Sequence, residues 1–139
     1  MKIAGCVVLL VAAGLVAGCK DNPVADDIPT GAFRYIGYDT LGQAVVQGYL
    51  RMALTDSNRI EGDWALVAIA GESTVGPQTG SGSLEGEIVG TTIRLNLNPQ
   101  MIDNNVLLSG ELRGNIYAGE WMFVGFPGVL NRGTFAARR

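Results

Sequence analysis

The chain has 139 residues, 13 acidic against 10 basic side chains, a net charge of −3, two cysteines and no histidine. An acidic balance argues against a nucleic-acid binder, which needs a basic face. The lack of histidine excludes Ser–His and Cys–His nucleophiles and zinc sites built on imidazole.

Met1-Lys2 forms a short positive start, and residues 3–17 follow as an uncharged run that includes Cys6. A secretory leader has this layout. The run is shorter than the ~20 apolar residues of a membrane-spanning helix, and it ends in small residues. At its end stands Leu15-Val16-Ala17-Gly18-Cys19. This stretch resembles the lipobox of bacterial lipoproteins. The resemblance implies a signal peptide over residues 1–18, cleavage before Cys19, diacylation of its sulfur and acylation, with palmitate for example, of the new amino group. Each buried CH₂ of an acyl chain contributes roughly 0.8 kcal/mol, so two or more chains anchor stably. The following residue is Lys20 and not Asp, which by the same resemblance favours the periplasmic face of the outer membrane.

Removing the leader leaves Cys19 as the sole cysteine, which excludes disulfides within the chain and cysteine metal sites. Residues 19–29 carry the acylated Cys, three aspartates and two prolines, and read as a flexible tether. Ten such residues reach ~35 Å at most. Residues 30–139 suit one domain with one core.

Beyond Pro29 the sequence shows period-two alternation between Gly, Pro, Asn and Asp breaks, not a helical period. Strands are predicted over 33–38, 43–54, 59–69, 82–89, 92–98, 106–113, 116–124 and 132–138. Pro77, Pro99 and Pro127 fall between them, as residues that cannot donate to a ladder should. One face carries Leu50, Met52, Ile60, Trp64, Leu66, Leu84, Leu95, Leu108, Tyr117, Trp121, Phe123 and Phe135. The other carries Arg51, Glu61, Asp63, Glu85, Glu87, Arg94, Glu111, Arg113 and Glu120. A one-residue slip would exchange the faces, so the register is well specified.

The inward register also holds Gly37, Gly48, Gly62, Gly86, Gly110, Gly119 and Gly133. Such glycines bend strands so that a barrel can close, or leave space for Trp64 and Trp121, or for a ligand. Residues 60–64 (Ile-Glu-Gly-Asp-Trp) are echoed by 117–121 (Tyr-Ala-Gly-Glu-Trp), a faint internal repeat. Eight strands joined by local turns predict a small up-and-down antiparallel barrel, with a β-sandwich as the alternative. The pattern resembles the lipocalin, fatty-acid-binding and avidin barrels in architecture only, so no binding residue carries over.

Connections would alternate between two ends. Residues 39–42, 70–81, 99–105 and 125–131 form one end, and the shorter 55–58, 89–91 and 114–115 form the other. Loops on a rigid scaffold carry most binding sites, so the mouth candidates are Thr74, Gln78, Met101, Asp103, Phe126 and Asn131. Candidate ligand-lining residues are Trp64, Leu95, Tyr117, Trp121 and Phe123. The tether and Arg138-Arg139 share the short-turn end, where with Lys20 they would face anionic head groups or simply be solvated.

No catalytic constellation, cofactor or metal site is expected. The pairs Glu61/Asp63 and Glu85/Glu87 lie on the polar face, and Asp103-Asn104-Asn105 lacks the spacing of a calcium loop. The sequence therefore predicts a non-enzymatic, membrane-anchored lipoprotein whose barrel binds a small apolar molecule. The alternative is an interaction lipoprotein with a filled core and a protein partner in the envelope.

Overall fold

The computed structural model describes residues 28–69 and 77–139. The leader, Cys19, Lys20 and Thr74 lie outside the described residues. Eight strands follow in order: β1 (Gly31–Tyr38), β2 (Ala44–Leu54), β3 (Arg59–Ala68), β4 (Gly80–Val89), β5 (Thr92–Asn96), β6 (Asn105–Arg113), β7 (Ile116–Gly125) and β8 (Gly128–Arg138). Each pairs antiparallel with its sequence neighbours, and β1 pairs with β8, so the sheet closes into a barrel. The sandwich alternative is thereby set aside. Every strand finds both neighbours within residues 31–138, leaving no open edge.

The alternation read from the sequence sets inside and outside. Leu50, Ile60, Trp64, Leu66, Leu84, Leu95, Leu108, Tyr117, Trp121 and Phe135 are buried, and Leu54, Ile88, Leu112 and Phe123 pack against them at the ends. Phe33, Tyr35, Val46 and Val106 complete the core. Val45 is buried beside Val46 because the β1–β2 register shifts between Gly37 and Tyr38. That shift is a bulge, which turns a second consecutive side chain toward the core.

The glycines divide by role. A Cβ on Gly48, Gly62, Gly86, Gly110 or Gly119 would collide with a backbone carbonyl of the paired strand. Gly110 and Gly119 are direct partners. These positions let neighbouring strands approach and coil closely enough to close a narrow barrel.

Four strand ends differ from expectation by two residues or more. β1 starts at Gly31, β4 starts at Gly80, and β5 stops at Asn96. The fourth changes the topology of one end: residues 125–131 are not a long loop. β7 and β8 join through a turn at Phe126-Pro127, and Gly125 pairs with Gly128. Gly128 has φ +116°, a backbone region open to glycine. A register shift beside Phe123/Val124 leaves Leu130 as a bulge, which hides the alternation that would have marked the strand.

At the opposite end the entry to β1 is tied to Arg139, just beyond β8. The Arg139 guanidinium donates to the carbonyls of Ile28 (2.9 Å), Thr30 (3.1 Å) and Gly114 (3.0 Å), and lies 5.3 Å from the Phe33 ring centre. The C-terminal residue therefore clamps the start of β1 to the β6–β7 turn.

Candidate functional site

Two places invite a site: the interior, where the aromatic residues converge, and the mouth ringed by the longer connections. Among the described residues nineteen hydrophobic side chains form the interior, each no more than 3 % exposed. A cavity able to admit water, let alone a ligand, would leave the residues lining it accessible surface. Trp64, Leu95, Tyr117 and Trp121 are brought together here as packing, while Phe123 is only partly buried. Tyr35 stacks on Phe135 at 5.5 Å, and Tyr117 meets the same ring edge-on at 4.7 Å. Ala137 pairs with both tyrosines, a small residue between two large ones.

Each polar group among these aromatics is bonded to the wall or to a loop. Trp121 sits opposite Gly133 on β8, and its indole N–H crosses that glycine to donate to the Tyr38 carbonyl on β1 (2.8 Å). Trp64 sits opposite Gly82 on β4, and its N–H donates to the carbonyls of Ser83 (3.2 Å) and of Leu97, just beyond β5. Thus each tryptophan reaches over a glycine toward the strand beyond. The two staples start on β3 and β7, four strands apart in a barrel of eight, and use the echoed segments of the sequence. A Cβ on Gly133 would lie 2.6 Å from the Trp121 Nε1 and also strike the Tyr38 carbonyl, whereas one on Gly82 would lie 3.3 Å from the Trp64 Nε1.

The Tyr117 hydroxyl donates to the Ile93 carbonyl (3.1 Å) and the Tyr35 hydroxyl to the Gln78 Oε1 (3.1 Å). Burial, and then the neighbouring Tyr117, push the Tyr35 hydroxyl well above the ordinary phenol range. Burial alone raises Tyr117. Both are held neutral, as hydrogen-bond donors that do not act as bases.

The mouth candidates separate. Gln78 is wholly buried and closes the barrel over Tyr35, so it is part of the core and not an open mouth residue. Asn131 lies on β8, paired with Phe123, with its Oδ1 accepting from the Arg132 backbone N–H (2.8 Å). The Asp103 Oδ1 accepts from the Asn104 backbone N–H (2.7 Å), which is thereby held at φ +62°. Met101 and Phe126 are exposed at the rim. Among the described residues no group of three His, Cys, Asp or Glu side chains could hold a metal.

The outer wall carries a feature the sequence reading passed over. An open groove of about 480 Å³ runs across β4, β5 and β6, with Leu107 and Met122 apolar and Glu87, Arg94 and Ser109 around them. Leu107 and Met122 are direct cross-strand partners in the outward register. Their signal was visible as breaks in the alternation, apolar residues where the outer face should be polar. No protein-family model matches the chain, and no curated protein matches it in sequence.

Proposed function

We propose that the mature chain is a lipid-anchored envelope protein, held through Cys19 at the periplasmic face of the outer membrane, that acts through its surface as an interaction module for a protein partner. The observation that carries this reading is the filled interior. A pocket for a small apolar molecule takes roughly 300 Å³ or more, and small eight-stranded barrels are often just wide enough for side chains to fill. Trp64, Leu95, Tyr117 and Trp121 then serve as a rigid scaffold. The anchor rests on the lipobox resemblance.

Two measurements test it. Metabolic labelling with a tagged palmitate should mark the protein and be lost in Cys19→Ser; an unlabelled wild type rejects the anchor. Native mass spectrometry of residues 20–139, purified gently from periplasm, should give the apo mass. A discrete adduct of a few hundred daltons, lost on unfolding, would restore the carrier function.

A further inference from the structure

The two ends of the barrel differ in chemistry along its axis. At the end that holds the β1–β2, β5–β6 and β7–β8 connections, each of these three turns, among the described residues, presents a large apolar side chain to solvent. Leu41 is 82 %, Ile102 104 % and Phe126 95 % exposed. Met101, Val129 and Leu130 stand exposed behind them. The outward wall below carries further apolar side chains among polar ones, with Val67 and Ile69 on and just after β3, and Leu107 and Met122 on β6 and β7, Met122 standing opposite Arg132. The Asp39 carboxylate at this end faces its own turn: its Oδ1 accepts the backbone N–H groups of Leu41 and Gln43, both at 2.9 Å.

The opposite end has tips of Thr55-Asp56-Ser57-Asn58, Gly90-Thr91 and Gly114-Asn115. Its outer wall carries Arg34, Arg51, Glu61, Glu85, Glu111 and Arg138. The chain enters β1 at this charged end.

We infer that the apolar crown inserts into a lipid bilayer, with the barrel axis steep to the membrane and the charged end in water. A protein partner would have to offer a matched pocket to each protruding side chain, whereas a bilayer accepts separate apolar side chains presented at one end of the barrel. The apolar face of an interfacial amphipathic helix buries some 5–10 Å into the headgroup and acyl boundary, and side chains at turn tips would enter the same layer. No cluster of arginines rims the crown; Arg132 on β8 is the near cation among the described residues, so the fit is to a zwitterionic surface.

The tether allows the crown and the acyl chains to share one leaflet, a step that rests on the lipoprotein reading. From Cys19 to Ile28 the backbone spans ~32 Å at most. The eight residues of β1 at ~3.3 Å each, tilted by about 40°, rise only ~20 Å. A tether leaving the charged end can run back along the wall to the membrane.

The test uses residues 20–139, which contain the whole closed barrel and no acyl group, with phosphatidylcholine vesicles in sedimentation. The wild type should bind, with little dependence on salt. The triple variant Leu41→Ser, Ile102→Ser, Phe126→Ser should bind roughly a hundredfold more weakly, with unchanged melting because these side chains support no core. Phe126→Trp should be quenched by lipids brominated in the acyl chains. Absent vesicle binding overturns the inference. So does binding retained by the triple variant, or binding lost in Arg34→Ser/Arg138→Ser and in high salt, which would put the charged end on the membrane. Crosslinking of position 126 to a protein in intact envelopes would assign the crown to that partner instead. Because this chain lacks the acylated sulfur, failure here is separate from failure of the palmitate assay.

Discussion

At the scale of single residues, the tryptophan staples make an asymmetric prediction. Gly133→Ala places a methyl against both the Trp121 indole and a fixed carbonyl, and should cost ~1–3 kcal/mol. Gly82→Ala meets only the Trp64 ring at ordinary-to-tight distance, and should cost clearly less. Urea unfolding of the two variants checks the order. Trp121→Phe leaves the Tyr38 carbonyl without its indole donor, and about 1–3 kcal/mol should be lost. The buried phenols give a pH dependence. Both folded values are raised above the ordinary value of 10.0. The folded state thus keeps protons that the unfolded state releases, so this contribution is complete below pH ~10 and falls as the pH rises beyond it. Tyr35 and Tyr117, half of the four tyrosines, should ionise only together with unfolding, seen as a cooperative step in tyrosinate absorbance.

At the scale of elements, register decides which charges face each other. Glu61 on β3 stands opposite Glu85 on β4, a like-charge pair on the exposed wall. Arg59 lies 3.9 Å from Glu61 and offsets part of the repulsion. Glu85→Lys should turn the pair attractive and stabilise the barrel by ~0.2–1 kcal/mol, less at high salt; thermal melts at two ionic strengths read it directly. The Gly110/Gly119 pair is the counterpart on the inner side of the wall. Gly119→Ala pushes a methyl into the Ser109 carbonyl of β6, and a loss of ~1–3 kcal/mol is expected in the same unfolding assay. Strands were legible where alternation ran unbroken, as in β5 and the first half of β3. The early start of β8 was not, because the bulge at Leu130 interrupts the period that marks a strand.

At the scale of the whole molecule, closure and filling are one result. Closing the β1–β8 seam removes the edges along which the barrel could have paired with another chain. Narrow closure also leaves the aromatic side chains nowhere to go but against each other, which is why the proposed function lies on the surface. The mouth candidates show the limit of reading loops as sites. Met101, Asp103 and Phe126 do lie at the rim. Gln78 is polar like Asp103 and lies in a connection at the same end, yet it is buried, bonded to Tyr35, 43 residues away.

What the sequence determined by itself is local and periodic. The two-residue alternation fixed the inner and outer faces, and the turn residues fixed the strand count and the up-and-down order, because each depends only on neighbours a few positions apart. Whether eight strands would meet and how far the tryptophans would reach depended on the tertiary structure. So did the filling of the interior and the gathering of apolar turn tips at one end. These depend on distances between residues far apart in the chain, and only the closed barrel sets those distances.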